Sequence, residues 1–504
     1  MSKVTQVGQK MASGSIWMLL FIATERSLGL ISTIILARLL LPEDFGLMAM
    51  ATSLVFILEL FANLNMDTVL IREARAERRH YDTAWTFNVL MATTIGLLLA
   101  GLARPTAAFY DEPALEQVMY VLALAAFVQG FQNIGVVAFR KEMEFRKEFR
   151  FLTGKKLAGF LTTIPLAFLW GNYWALVAGI VALRIAGVLL SYYAHPYRPR
   201  LCLAARHELF HFSKWLVINN VSNFGRDRSS DFVIGRLVGS QALGLYNIAY
   251  EIATLPMTEL VAPVNRAVFP AYAKLLNDPA ELRRRYLQVV SMVALVALPA
   301  ALGISLTAKL FVPIMLGPNW LDAIPLIQVL AIGGGIGALQ SSSWAVFLAL
   351  GHMRTVAYLG IFSLVVMVPW LLVLTAWLGV IGAAWAFLSM IVALMFVTYT
   401  LLLRALGLSS LALLKTFWRP LVGIVVMAVA VQRLSADWTV AAELADQALR
   451  LTGAVGLGAT TYAGVVLLLW LLAGRPEGAE RIVLDHLWPM IRAGLGLKAQ
   501  RSVS

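Results

Sequence analysis

The chain has 504 residues, of which 60% are hydrophobic and only 14% charged, and its mean hydropathy is +0.77. Soluble domains carry about a quarter charged residues, so an ordinary globular protein is excluded. The formal charge of +13 raises the question of nucleic acid, while a single cysteine, Cys202, excludes an internal disulfide and any Cys-based metal cluster.

Apolar runs of about 20 residues recur along the chain, each long enough to cross a hydrocarbon core of about 30 Å. Membrane strands would be about ten residues long and alternate in polarity. The pattern therefore predicts an all-α polytopic membrane protein. Fourteen spans are expected, at 14–37, 46–71, 85–103, 115–139, 151–171, 174–194, 213–235, 244–268, 287–307, 325–350, 356–376, 380–403, 417–434 and 451–473. The first run leads into "LLLPEDFG" and not into a small-residue cleavage site, so it reads as a span and not a signal peptide. No connecting loop exceeds about thirty residues, too few for a separate catalytic domain.

Loops on the amino-terminal side of the spans hold 27 of the 41 Lys and Arg. By the positive-inside rule both termini are then expected in the cytoplasm. The basic excess reads as a topology signal, which argues against nucleic acid as a partner. The densest clusters, "REARAERRHYD" (72–82) and "RKEMEFRKEFR" (140–150), read as cytoplasmic surfaces facing anionic lipid. "LDHLWPMIRAGLGLK" (484–498) has only a weak apolar face, interrupted by Pro489.

An internal repeat joins two of the hairpins. At an offset of 198, "IILARLLLPEDFGLMAMA" (34–51) aligns with "FVIGRLVGSQALGLYNIA" (232–249). Arg38 meets Arg236, Leu39 meets Leu237, Gly46 meets Gly244, Leu47 meets Leu245 and Ala51 meets Ala249. An even number of spans separates the copies, so the repeat is parallel, as in transporters that rock two halves about a central site. The expected division is a six-helix lobe over 1–210, a pseudo-symmetric second lobe over 211–403, and two further helices with a tail over 404–504.

Charged residues at mid-span cost several kcal/mol and usually face a bundle interior or water. Glu25 and Arg26 lie near the centre of the first span; neighbours on a helix diverge by about 100°, so they cannot simply neutralise each other. Glu59, Asn63 and Asp67 form an i, i+4, i+8 stripe on the second. In the seventh, Asn220, Asn223, Asp227 and Asp231 share one face, bordered by Asn219 and Arg226, with Arg228 to one side. The eighth adds Glu251, Glu259 and Arg266, with Pro256 and Pro263 expected to kink it, and Arg184 lies within the sixth. Two readings stand. In one, Arg26, Arg226, Arg228 and Arg266, with Asn63, Asn219 and Asn223, line an aqueous cavity that binds an anion through planar guanidinium forks, while Glu25, Glu59, Asp227, Asp231 and Glu251 balance the field or couple transport to an ion. In the other they are packing ion pairs, such as Glu25 with Arg228 or Asp227 with Arg26, although such pairs seldom repay their desolvation.

No catalytic constellation, metal site or cofactor motif emerges. "GGGIGA" (333–338) lies inside an apolar span, where it reads as close helix packing or a hinge. There is no phosphate-binding G-x-x-x-x-G-K-[ST] loop, and the six histidines include no H-E-x-x-H pair.

With the spans and the repeat in place, the chain resembles the polysaccharide transporter, or Wzx-type oligosaccharide flippase, family of the MOP superfamily. The resemblance is carried by Ala37-Arg38-Leu39-Leu40, Pro42 and Asp44-Phe45-Gly46-Leu47, supported by "FRKEMEFRKEF" (139–149), "FPAYAKL" (269–275) and "LGPNW" (316–320). It implies a two-lobed helical transporter in the bacterial inner membrane. Its implied cargo is an oligosaccharide on a polyprenyl pyrophosphate, moved from the cytoplasmic to the periplasmic leaflet. Membrane lipids, a polysaccharide polymerase and chain-length machinery are the implied partners. A multidrug or small-cation antiporter of the same superfamily, and a membrane polymerase or ligase of lipid-linked glycans, remain the alternatives.

Overall fold

A computed structural model describes residues 3–62, 66–72, 76–206, 228–435, 444–476 and 478–487. Among these residues no strand occurs, and helices account for nearly the whole backbone. Nine helices among the described residues are long and apolar enough to cross a membrane, or ten if the pair Ala114–Gln129 and Ile134–Lys141, bent by 65°, is one broken span. The protein is therefore a multi-pass membrane protein. The sequence predicts fourteen spans, and the difference has a local cause. Pro42–Ala62 and Phe145–Trp170 are both of spanning length and carry charge, Glu43, Asp44 and Glu59 on the first and Lys155 and Lys156 on the second. The predicted seventh span lies largely outside the described residues.

Helix ends follow the sequence punctuation. Trp170 is followed by Gly171 and Leu406 by Gly407, both in the left-handed region that closes helix C-termini, and Asp111 does the same for Arg78–Tyr110. The expected kink in the eighth span is a widened, π-type turn over Pro256–Val261, which joins Ser240–Leu255 to Ala262–Lys274. Of the second span, Pro42–Ala62 and Met66–Arg72 are helical, and residues 63–65 between them lie outside the described residues.

The chain forms two compact units, Met1–Asn247 and Ile248–Ser504. In the first, Phe145–Trp170 packs along Trp174–Ala194, Arg78–Tyr110 along Ala114–Gln129, and the 37-residue helix Lys3–Leu39 against Phe145–Trp170. In the second, Pro279–Met315 pairs with Ala323–Ala349, Met353–Leu378 with Val380–Leu406, and Ser410–Ser435 with Leu444–Leu472. The "GGGIGA" run allows Ala323–Ala349 its close neighbours. A methyl group at Gly334 would strike the Ala253 carbonyl, and one at Gly333 the Phe387 ring. That segment is a packing surface, as its composition suggests.

Within the first unit the repeated hairpins meet reciprocally. A methyl group at Gly46 would fall on the Ser240 carbonyl oxygen, and one at Gly244 on the Pro42 carbonyl oxygen. Pro42 and Ser240, like Gly46 and Gly244, are 198 positions apart. Such a self-complementary contact is what a two-fold relation between repeats produces.

Candidate functional site: charges inside the first unit

One cluster of partly buried charges in the first unit lies where three helices meet. Arg184, near the middle of Trp174–Ala194, donates from Nη2 to Glu59 Oε1 of Pro42–Ala62 at 2.8 Å, with only 10% of the arginine side chain exposed. Its Nη1 is buried and without an acceptor. Lys155 approaches from Phe145–Trp170. Its stem lies against Gly187, one turn from Arg184, with Cδ and Cε each 3.3 Å from where a Gly187 side chain would begin, and Gln132 Oε1 is 3.2 Å from the same point. Lys155 is within electrostatic reach of Arg184, Lys156, Glu59 and Asp67. Among the described residues it makes no hydrogen bond or ion pair.

Lys156 turns to the Lys3–Leu39 helix and pairs with Glu25 at 3.1 Å, both about half exposed. Toward the helix start, Arg140 grips one Glu148 oxygen with Nε and Nη2 at 2.8 and 2.6 Å, and the other Glu148 oxygen is buried without a partner. Asp67 lies within reach of Arg140, Glu148 and Lys155. A ladder of acids and bases thus runs through the unit, and its innermost rung, Arg184 with Lys155, has spare donors.

A second cluster sits on the helix at 228–237. Asp231 is 1% exposed. It accepts from the Ser53 hydroxyl and from Arg228 Nη1 at 3.1 Å, while the Arg228 guanidinium lies 5.1 Å over the Phe56 ring. The two donors offset part of the cost of burying the Asp231 carboxylate, and the Phe56 ring face adds a cation–π contact to the Arg228 guanidinium.

Among the described residues, several of the expected site residues are ion-paired. Glu25 pairs with Lys156 and not with Arg228. Arg228 and Asp231 pair with each other, and Glu59 is held by Arg184. Arg26 is half-buried on Lys3–Leu39. Glu251 and Arg266, on Ser240–Leu255 and Ala262–Lys274, have exposed side chains in the second unit. Asn63, Asn219, Asn223, Arg226 and Asp227 lie outside the described residues. Sequence reasoning passes over Lys155 and Lys156 because the predicted span begins at 151, which puts them in its first turn. The helix begins at Phe145, so Lys155 is ten residues inside it, about 15 Å along its axis. The available signal was "GKKLAGF", a lysine pair entering an apolar run without a break.

An apolar groove of about 500 Å³ runs along the Trp174–Ala194 helix, lined by Trp170, Trp174, Val181, Ile185 and Leu189 among others. Its walls suit hydrocarbon.

The chain is similar over most of its length to proteins of polysaccharide biosynthesis and transport. It is 24% identical to the lipopolysaccharide biosynthesis protein WzxC of Escherichia coli (strain K12), covering 82% of this chain and 85% of that one. It is 25% identical to the succinoglycan biosynthesis transport protein ExoT of Rhizobium meliloti (strain 1021), covering 91% of each. In structure it superposes on the lipid II flippase MurJ in an inward closed conformation with a TM-score of 0.72, at 13% identity over 91% of this chain and all of that one. An inward-facing multidrug MATE transporter of the MOP superfamily follows at 0.58, at 14% identity over 77% of this chain and 96% of that one. These two likenesses are of fold. The family profile described as "Polysaccharide biosynthesis protein" matches residues 35–325, more than half of the chain, and the protein belongs to that family.

Proposed function

We propose that the protein is a flippase that carries a polyprenyl-pyrophosphate-linked oligosaccharide from the cytoplasmic to the periplasmic leaflet of the bacterial inner membrane. The observation that carries this reading is the likeness to a succinoglycan transport protein across 91% of both chains. The fold shared with a lipid II flippase supports it, as do basic groups buried among helices that cross lipid. A lipid-linked glycan has an anionic diphosphate, a hydroxyl-rich head and a long apolar tail. Arginines answer the first, Asn and Gln side chains the second, and an apolar flank the third. In this proposal lobes over 1–210 and 211–403 alternate access to the substrate, with 404–504 appended. Arg26, Arg226, Arg228, Arg266, Asn63, Asn219 and Asn223 contact the substrate, and Glu25, Glu59, Asp227, Asp231 and Glu251 are the candidates for ion coupling. A polymerase and chain-length machinery would take up the delivered units.

The test is genetic. Deletion of the gene is expected to abolish surface polysaccharide and leave lipid-linked repeat units on the cytoplasmic face. Arg26→Ala should fail to restore display although the protein reaches the membrane at normal level. Normal display in the deletion strain, or an altered drug-resistance profile with display intact, would refute the proposal and point to a multidrug antiporter.

A further inference from the structure

We infer that Lys155 and Arg184 form an oxyanion-binding subsite within the first unit, for which Glu59 is the resident competitor. The inference rests on the transport reading and adds the residues that would hold the anionic group of the substrate.

Three observations converge on it. Arg184 is nine-tenths buried and uses one terminal nitrogen on Glu59, while the other is buried with nothing to donate to. A buried, unsatisfied charged donor is costly, and in native proteins it marks an absent water or ion, or a functional role. Lys155 is routed past Gly187 toward the same turn of Trp174–Ala194. Among the described residues no carboxylate pairs with it; Asp67 is within electrostatic reach but makes no ion pair with it. Lys156 does not fill the same role, because Glu25 holds it. The neighbourhood thus offers a free ammonium and half of a guanidinium fork, with the Gln132 amide beside the Lys155 stem.

A planar fork and a mobile ammonium together suit a tetrahedral phosphate better than either alone. A carboxylate would be held by the same donors. Two chemical sources are therefore open: the diphosphate of the lipid carrier, and an acidic sugar in the glycan. In either case the incoming oxyanion takes Arg184 from Glu59. The Glu59–Arg184 pair is then a filled resting state that substrate must displace.

The subsite is tested with the purified full-length protein by calorimetric titration at low ionic strength, with inorganic pyrophosphate in one arm and glucuronate in the other. Saturable binding of pyrophosphate is expected, weakened at least about 10-fold in Lys155→Gln. Because Lys155 makes no hydrogen bond or ion pair among the described residues, that variant should fold. Glu59→Gln, which frees Arg184, should bind several-fold more tightly than the wild type, an outcome that a purely structural ion pair does not produce. Binding of glucuronate alone, with the same dependence on both variants, would support the subsite and assign it to an acidic sugar. Wild-type protein that binds neither probe, or binding unchanged in both variants, would overturn it. Loss of the subsite and loss of the transport reading are separable, because polysaccharide display by the deletion strain decides the latter without reference to Lys155.

Discussion

At the scale of single residues, the turn "LPEDFG" shows how local chemistry serves the fold. Asp44 accepts from the Leu41 backbone N–H at 2.9 Å and from that of Tyr173 at 2.8 Å. One carboxylate thereby caps its own turn and ties it to the distant turn after Trp170. Two residues on, Gly46 meets the Ser240 carbonyl where no other side chain fits. Backbone cannot give way as a side-chain tip can, so Gly46→Ala should destabilise by roughly 1–3 kcal/mol, the usual cost of overpacking. Gly303, inside Pro279–Met315, is the control: nothing lies within 4 Å of its missing side chain. There the helix gains from the substitution, and Gly303→Ala should be neutral or stabilising by up to about 1 kcal/mol. Apparent melting temperatures of the three purified proteins check the contrast, and equal effects at both positions would show that the close approach is not real. The importance of the turn was legible in the sequence, since the repeat aligned Gly46 with Gly244. The reason was not, because a contact between backbones leaves no mark in side-chain chemistry.

At the scale of elements, the clearest addition to the sequence reading is the segment 195–206, expected only as a cytoplasmic loop. It lies extended along the first turns of Arg78–Tyr110, held by side chains from that helix. Asp82 Oδ1 accepts from the Tyr197 hydroxyl at 2.7 Å and from the Arg200 N–H at 2.9 Å. Thr86 and Thr83 accept from the N–H groups of Cys202 and Ala205 at 2.9 and 3.2 Å. Asn133 secures the other end, donating to the Tyr197 carbonyl at 2.6 Å. These bonds join backbone to side chains far away in sequence, so no periodicity announces them. His195 begins the segment, and its Nδ1 accepts from the Tyr197 N–H at 3.1 Å. Burial holds the imidazole below its ordinary pKa; Glu142 and Glu144 oppose that shift, while Lys147 and Arg198 reinforce it. The unfolded chain therefore binds the proton more readily than the folded one, and stability contributed by the neutral ring is lost as pH falls below about 6.5. The apparent melting temperature should drop between pH 7.5 and 5.5, and His195→Gln, whose amide oxygen can still accept, should flatten that slope. A slope unchanged in the variant would place the titration elsewhere.

At the scale of the whole molecule, composition and run length were enough for the all-helical membrane architecture, because lipid leaves a spanning chain few other ways to satisfy its backbone. Helix partners and the pairing of buried charges were not available in the same way. The sequence offers Arg228 as a partner for Glu25, and only packing decides for Lys156. Orientation is different again, since it depends on loop charge and not on contacts. Twenty-seven of the 41 basic residues fall on one side of the predicted spans, and the positive-inside rule predicts that this side is cytoplasmic. The turn at Gly171 and the segment 195–206 bound the Trp174–Ala194 helix, so they must lie on opposite sides of the membrane. Alkaline phosphatase fused after Gly171 should be active, the same enzyme fused after Arg206 inactive, and a fluorescent protein fused after Ser504 bright. The reverse pattern would invert the chain and place the Arg140–Glu148 end of the charge ladder at the periplasm. Lys155 and Arg184 would then be approached from the side to which a flippase delivers its cargo, so the fusion result also tests the direction of transport.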